Sequence, residues 1–360
     1  MNSIKASKKM TEPDIASLRV YNQHLNHSKF KKPEEVIGYM CAMQAQEYTH
    51  AKWAIGLRML SPADKMVEKA MTNGTILRTH VLRPTWHFVL PQDIRWMLSL
   101  TAPRINAGNA AMYKKQEVTD AIFNKSFNVF TEAMRGGKQL TRTEIVTALN
   151  NANIATDDLR LTILLMKAEL EQLICSGARQ GKQFTYALLD ERAPATPTID
   201  REEAVATLVL RYFTSHGPAT VNDFVHWSGL TVADAKTGIE INKDSLTNIT
   251  VSGVVYWMGA DIDLGKAKKS GAYLLPVYDE LIIAYKNRDA MVPAGFRDKM
   301  GAITFFPTIM VNNQVVGNWG RNIGKKSIDI ELKPFAKLNK TQTQSIETAL
   351  QHFKKFNDLA

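Results

Sequence analysis

The chain has 360 residues, 45% of them hydrophobic and 22% charged, which is the composition of a soluble globular protein of two or three domains. Its formal net charge of +10 favours a polyanionic partner such as nucleic acid. No apolar run reaches the roughly 18 residues of a membrane span, and the two cysteines are too few for a disulfide framework.

The sequence also argues against several kinds of catalytic site. It contains no HExxH zinc motif, no Cys/His cluster, no GxxxxGK[ST] phosphate loop and no GxSxG nucleophile elbow. Residues 1–14 are polar and lack the apolar stretch of a secretory signal. We therefore expect a cytoplasmic protein with reduced, buried Cys41 and Cys175, no metal or other cofactor, and no membrane association.

Helix starts are marked by capping boxes, in which a hydroxyl and an acid or amide three residues later each satisfy a backbone donor. The boxes begin at Ser61, Thr141, Thr220, Thr231 and Thr341. They predict short, closely spaced helices.

Residues 1–130 are expected to form a first winged-helix domain, which is the least regular of three. Its predicted elements are helices over 15–26, 34–43 and 61–72, an extended segment over 81–89 and a helix that starts at 91–93.

The next two regions, 131–195 and 196–265, show the winged-helix arrangement more clearly. The first has predicted helices over 141–149 and 160–175, a hairpin turn over 179–183 and a strand over 184–188. The second has a helix over 201–215, a helix-turn-helix over 220–239 and a hairpin over 249–258. Helices followed by a two-stranded hairpin are typical of a winged helix.

The last region, 266–360, is predicted to be a small β-barrel-like domain with a C-terminal helix. Its β-like segments are 273–276, 281–285, 302–311, 314–317 and 327–332, with a turn at 312–313, and an amphipathic helix follows over 342–356. The predicted fold is therefore α+β, with tandem winged-helix (helix-turn-helix) domains before the β-domain.

The positive charge is concentrated in two regions. Residues 1–125 carry a net charge of +8 and residues 261–340 carry +5, whereas residues 126–260 carry −3. We expect the first and last regions to form the walls of an anion-binding channel. The alternative is that these lysines only form a solvated surface.

The first candidate for chemistry is the segment Gln44-Ala45-Gln46. Side chains two positions apart point the same way only in an extended backbone, so the preceding helix must end before Gln44 for the amides to converge. An amide both accepts and donates hydrogen bonds, so a converging pair could orient a nucleophilic water. The alternative is a pair of surface glutamines.

The second candidate is the alternating set Arg83, Thr85 and His87, which shares one face of the predicted extended segment. A cation, a hydroxyl and an imidazole are expensive to bury together without a purpose. The alternative is the polar face of an edge strand.

Two further groups lie in the last region. Asp279 and Glu280 could act in acid–base catalysis, although an internal ion pair with Arg288 is the simpler interpretation. Trp319 and Arg321 lie at a predicted hairpin tip, where they could stack on bases and contact phosphates or pack on the core.

In their order and spacing these motifs resemble the winged-helix DNA-binding family that contains the AlkZ-type DNA glycosylases. The resemblance covers about residues 14–335, and the matching stretches are 43–47, 51–58, 82–87 with 92–93, 217–220, 227–230, 275–280 with Tyr285 and Arg288, and 316–319. Each stretch is weak alone, and their order makes the resemblance specific.

The resemblance implies a C-shaped scaffold around a basic channel for double-stranded DNA. The family's Gln-x-Gln motif carries over to Gln44 and Gln46 as catalytic, water-positioning residues, whereas a sister group has an acid at the second position. The implied pocket or DNA-binding residues are Arg83, Thr85, His87, Trp53, Arg58, Asp279, Arg288, Trp319 and Arg321. Pro84 and Trp86 stand where the family commonly has a Gly and an aliphatic residue, which leaves the local pocket shape open.

An alkylated purine suits such a site chemically. Alkylation at N7 or N3 makes the base cationic and a good leaving group, so the enzyme needs to hold a water and stabilise an oxocarbenium-like sugar. Neither a metal nor a lysine nucleophile is required. We therefore expect a monofunctional, monomeric DNA glycosylase for alkylated purines, with an open channel suited to bulky adducts or interstrand crosslinks.

Two alternatives remain open at this point. Winged helices are more often binders than enzymes, so the chain could be a non-catalytic DNA-binding regulator or architectural protein, which has no need of Gln44 and Gln46. It could also be an enzyme that uses Asp279 and Glu280 on another substrate.

Overall fold

A computed structural model of the chain describes residues 10–157, 159–262, 267, 271–323 and 328–358. These residues form a mixed α/β fold of fifteen α-helices and twelve strands, with the strands in four small antiparallel sheets. Within the ranges described, no helix is both long and apolar enough to cross a membrane.

The elements of the first half of the chain surround two of the sheets, whose strand orders are β1-β3-β2 and β4-β6-β5. In chain order they are α1 (Glu12–Asn22), α2 (Pro33–Met40), β1 (Met43–Gln44), α3 (Tyr48–Gly56), α4 (Asp64–Asn73), β2 (Leu77–Val81), β3 (Thr85–Val89), α5 (Ile94–Lys115), α6 (Asp120–Met134), β4 (Leu140–Thr141), α7 (Arg142–Asn151), α8 (Arg160–Leu170), β5 (Ile174–Ser176), β6 (Thr185–Leu188) and α9 (Leu189–Arg192).

The second half contains the sheets β7-β8 and β12-β11-β10-β9. Its elements are α10 (Arg201–His216), α11 (Val221–Ser228), α12 (Val232–Ile241), β7 (Leu246–Val251), β8 (Val254–Gly259), β9 (Ala272–Leu275), α13 (Glu280–Ile283), a 3-10 turn (Ala294–Lys299), α14 (Met300–Phe305), β10 (Thr308–Val311), β11 (Gln314–Ile323), β12 (Ile328–Pro334) and α15 (Lys340–Phe356).

Three of the five predicted capping boxes are present. Thr141, Thr220 and Thr231 each accept a backbone N–H from the third residue of the helix that follows. The boxes at Ser61 and Thr341 are wrong, because α4 begins after Ala63 and α15 begins after Asn339. Asn339 accepts from the Gln342 N–H at 2.9 Å, and a strong cap at that position leaves Thr341 inside the helix.

The predicted β-barrel-like domain is wrong. Its four strands form an open sheet, since β12 and β9 are edge strands and do not pair with each other among the described residues. Four strands are too few to close around a side-chain interior. Residues 281–283 and 302–305 are helical and not extended. The prediction failed there because short apolar runs do not distinguish a buried strand from a short helix. Ser327, the first residue of the last predicted strand, lies outside the described residues.

The extended segment predicted over 81–89 is a hairpin. Leu82, Arg83 and Pro84 form the turn between β2 and β3, and Leu82 has a φ of +64°. The strand β2 and the helices α3 and α6 were not predicted. The hairpin matters for the site, because its turn places Arg83 beside the strand that carries Thr85 and His87.

Candidate active site

The Gln44 segment is extended and forms the edge of a sheet. Strand β1 pairs with β3 so that Gln44 lies directly opposite His87, and the Ala45 N–H donates to the Trp86 carbonyl at 2.7 Å. Helix α2 ends at Met40, before Gln44, as this interpretation requires. Gln46 lies in a bend past the end of β1, where its Oε1 accepts the Trp86 N–H at 3.4 Å, so the convergence of the two amides stays a prediction. Gln44 is half-buried and Gln46 is exposed.

His87 is fully buried and presents a hydrogen-bond acceptor. Its Nδ1 lies 2.9 Å from the Thr85 carbonyl oxygen, which can only accept, so Nδ1 carries the proton of the neutral ring. Burial, with the nearby charge of Arg83, lowers the pKa of His87 to about 4. At neutral pH the ring is therefore uncharged and its Nε2 is an acceptor.

Several buried polar atoms around Gln44 lack a partner within the described residues. They are Gln44 Oε1, Thr85 Oγ1, His87 Nε2, and Arg83 Nε and Nη2. An unsatisfied buried polar atom costs about 1–3 kcal/mol, so such a group indicates a surface built for a ligand. Side chains directly opposite each other in an antiparallel pair lie about 5 Å apart at Cβ. The acceptors of Gln44 and His87 can thus share the two protons of one water.

Glu280 binds the backbone of strand β1 at Gln44. Its Oε1 accepts the Gln44 N–H at 2.7 Å, and its Oε2 accepts from Trp227 Nε1 at 3.0 Å and lies 3.4 Å from His216 Nε2. Burial alone would raise the pKa of Glu280, but His216 and the Gln44 N–H lower it, so the carboxylate is ionised. A fixed negative charge therefore lies in contact with the backbone of Gln44.

Arg58 and Asp279, both predicted as pocket or DNA-binding residues, are interior. The Arg58 guanidinium donates to both Asp279 oxygens at 3.0 and 2.9 Å, and both side chains are 0% exposed. Neither side chain reaches the surface, and their role in the pocket or in DNA binding stays a prediction. The pair joins the segment directly after α3 to the residue that caps α13, the helix on which Glu280 lies.

Trp53 and Trp319 are also buried. Their indole N–H groups donate to the carbonyls of Leu274 and Leu275 at 2.7 and 2.8 Å, and both rings pack on Phe353. Trp319 lies within the long strand β11 and not at a hairpin tip. These tryptophans hold the open sheet to α3 and α15 and do not reach a ligand on the surface.

The remaining two predicted residues are partly exposed arginines. Arg288 donates from Nε to the Ile282 carbonyl at 2.7 Å, and within the described residues it forms no ion pair, so its predicted pairing with Asp279 or Glu280 is wrong. Arg321 lies on β11 and donates to Thr49 Oγ1 at 2.7 Å.

The sequence analysis did not single out His216, and it named Trp227 only within the matching stretch 227–230. It placed Asp279, and not Glu280, among the pocket or DNA-binding residues. Periodicity cannot tell which of two adjacent carboxylates turns inward to a strand more than 200 residues away. The tight spacing of Tyr278, Asp279 and Glu280 after a strand was the available signal. Among the residues that the structure describes, no three His, Cys, Asp or Glu side chains are grouped so as to hold a metal ion.

The fold and the sequence match known proteins over nearly their whole length. The family model described as "DNA glycosylase AlkZ-like" matches residues 37–356. An interstrand DNA cross-link repair glycosylase of Streptomyces sahachiroi is 24% identical over 366 residues, 94% of each chain. The structure of Streptomyces sahachiroi DNA glycosylase AlkZ superposes with a TM-score of 0.78 at 21% identity, over 97% of each chain.

The chain belongs to the AlkZ-like DNA glycosylase family, as its motifs led us to expect. It is accordingly an enzyme that acts on N-glycosidic bonds and has DNA as its substrate. The alternative of a non-catalytic DNA-binding protein is not supported.

Proposed function

We propose that the chain hydrolyses the N-glycosidic bond of purines alkylated at N7 or N3, with a water held by Gln44 and Gln46. The observation that carries this proposal is the group of partnerless buried atoms at the Gln44–His87 strand pair. Gln44 and His87 lie opposite each other on the paired strands, and each offers a hydrogen-bond acceptor. A water molecule that donates both of its protons needs two such acceptors.

In the proposed reaction the bond from the sugar C1′ to the purine nitrogen breaks and its electron pair leaves with the base, which becomes neutral. The water oxygen bonds to C1′, and His87 Nε2 is the basic atom placed to accept the proton that the water loses. Gln46 is exposed and lies two residues past the end of β1. We propose that it completes the environment of the water when DNA covers this edge.

The ionised Glu280 has two roles in this proposal. It fixes the backbone of Gln44, and its negative charge stabilises the positive charge of the oxocarbenium-like sugar that forms near that strand. Glu280→Gln keeps the size and one acceptor but removes the charge. We expect excision under single-turnover conditions to fall about 10- to 100-fold, with DNA affinity within about twofold of the wild type.

The control is Glu169→Gln, because Glu169 is another fully buried carboxylate beside a histidine, with His80 Nδ1 at 2.5 Å. Excision by this variant should change only in proportion to its folded fraction. Equal losses of excision in the two variants would mean that Glu280 contributes only to stability.

The substrate class includes bulky adducts and interstrand crosslinks in this proposal. The exposed Gln46 and half-buried Gln44 favour an open edge over a closed base pocket. A monofunctional glycosylase uses no lysine as nucleophile. The lysine nearest to Gln44 along the chain is Lys52, and its amine forms ion pairs with Asp64 and Glu68 at 2.7 and 3.0 Å, which supports this character. The test is a panel of duplexes with N7-methylguanine, a bulky N7 adduct or a crosslink, and excision of none of them would overturn the proposal.

We also propose tandem winged-helix domains over 1–130, 131–195 and 196–265, followed by 266–360, in a cytoplasmic monomer. The order of α7 and α8 before the β5–β6 hairpin supports the second domain, and α11 and α12 before the β7–β8 hairpin support the third.

DNA binding should depend strongly on salt. Each phosphate neutralised by Lys or Arg releases counterions, so affinity falls steeply with salt concentration. We expect the dissociation constant for an undamaged duplex to rise at least about tenfold between 50 and 200 mM NaCl. Fluorescence anisotropy measures this, and an unchanged constant would contradict a phosphate-binding channel.

A further inference from the structure

Arg83 has buried donors without a partner. It lies in the β2–β3 turn, two residues before Thr85, and its Nε and Nη2 make no hydrogen bond within the described residues. A guanidinium does not deprotonate in proteins, so its charge and donors need an anion or acceptors.

Among the residues that the structure describes, no carboxylate forms an ion pair with Arg83. Burial lowers the pKa of Arg83, and the charge of Glu280 only partly offsets this effect. Both Glu280 oxygens are already engaged, one by the Gln44 N–H and the other by Trp227 beside His216.

A second arginine, Arg288, lies near enough to Arg83 for the two charges to interact. Burial lowers the pKa of Arg288, Asp223 raises it, and the charge of Arg83 lowers it. Asp223 lies 3.6 Å from Arg19 Nη2 and, within the described residues, forms no ion pair with Arg288. Burial lowers the pKa of His226, and both arginines lower it further. Like charges are therefore grouped here.

The position of Arg83 is fixed by a strained turn. Leu82 has a left-handed φ of +64°, which is uncommon for a bulky residue. Its carbonyl oxygen packs on Gly229, where an added Cβ would lie only 2.7 Å from it. Arg104 Nε donates to the Gly229 carbonyl at 2.8 Å, which fixes Gly229 against Leu82.

The chemistry of the substrate indicates which part of the DNA Arg83 binds. An N7- or N3-alkylated purine is cationic and repels a guanidinium, whereas the phosphates are the anions that DNA offers. The planar donor set of arginine matches phosphate oxygens. We propose that Arg83 and Arg288 together bind one backbone phosphate next to the nucleotide whose glycosidic bond is cut.

This proposal rests on the proposed function, since it places the phosphate beside the reacting nucleotide. Arg288 also lines a cleft of about 710 Å³ with Lys286 and Trp257, and the cleft offers the strand a path away from the site. The phosphate contact of Arg83 and Arg288 would hold the reacting sugar against Gln44 without any contact to the base.

The test is a double-mutant cycle of DNA affinity. Variants of the protein are combined with duplexes in which single phosphates around the modified nucleotide are replaced by neutral methylphosphonates. A 2′-fluoro sugar at that nucleotide slows cleavage, so affinity can be measured by itself. At one phosphate position, we expect the methylphosphonate to weaken wild-type binding about tenfold. It should add no further loss in Arg83→Gln or Arg288→Gln, because the lost contact is the same one.

Arg135→Gln is the matched control, since Arg135 is an exposed arginine paired with Glu132 on α6 and should show the full methylphosphonate effect. If Arg83→Gln does not fold, Arg288→Gln gives the same cycle from the partly exposed arginine. Losses that multiply at every phosphate position, or wild-type affinity in both variants, would overturn the proposal. Failure of excision with a positive binding cycle would instead reject the proposed function and leave the phosphate site standing.

Discussion

Gln44→Ala is expected to excise N7-methylguanine about 10²- to 10³-fold more slowly than the wild type. The change removes Oε1, one of the acceptors proposed to hold the nucleophilic water, and leaves the Gln44 N–H bonded to Glu280. The strand pairing with His87 uses backbone groups and should survive. The dissociation constant for DNA should therefore stay within about threefold, and single-turnover excision with anisotropy measures both quantities.

Gln351→Ala is the control for this prediction, because Gln351 is an exposed glutamine on α15. It should match the wild type in rate and affinity. A Gln44→Ala variant with wild-type excision would remove the water-positioning role, and parallel losses of excision and of affinity would mean that Gln44 acts in binding.

Asp279→Asn is expected to lower the free energy of unfolding by about 3–5 kcal/mol, because it leaves the fully buried Arg58 charge without its partner. Asp279 also caps α13 by accepting the Leu281 N–H at 2.9 Å. Urea unfolding followed by circular dichroism gives the value. Excision at saturating enzyme should fall only as far as the folded fraction falls.

Asp190→Asn serves as the exposed counterpart, since Asp190 pairs with Arg95 at 2.8 Å but is 86% exposed. Its unfolding free energy should change by about 1 kcal/mol or less. If both Asp variants lost the same small amount, the Arg58–Asp279 pair would have no special role in holding α13 beneath the site.

Local signals in the sequence predicted most helices and hairpins of the second and third regions, although the helix predicted over 160–175 ends at Leu170 and is followed by strand β5. Their helices begin at strong caps such as Thr220 and Thr231, and their hairpins are set by neighbouring residues. The region after residue 266 was predicted less well. There, four-residue and six-residue helices interrupt a sheet, and apolar runs of that length fit either structure.

The sequence named candidate residues but did not show which of them lie together. Gln44 and His87 belong to two separate candidate motifs, and they lie opposite each other because β1 pairs with β3. Asp279 and Glu280 are adjacent, yet one binds Arg58 and the other binds the Gln44 strand. That division depends on packing between distant segments, which residue type and spacing do not encode.

The arrangement around Gln44 has a common chemical theme. The groups proposed to face the water are neutral, namely an amide, a hydroxyl and an uncharged imidazole. The Arg83 cation belongs to the same group of partnerless atoms, and the Glu280 carboxylate binds the backbone of Gln44. Such a site suits a leaving group that is already cationic, because no strong acid is needed to protonate the base.

The most direct test of the central claim is abasic-site formation in a duplex with one N7-methylguanine, measured with enzyme in excess. We predict that the wild type converts the modified nucleotide to an alkali-labile abasic site without breaking the strand itself. The Gln44→Ala variant should bind the same duplex and leave the base in place. A wild-type enzyme that binds this duplex tightly and forms no abasic site would contradict the claim.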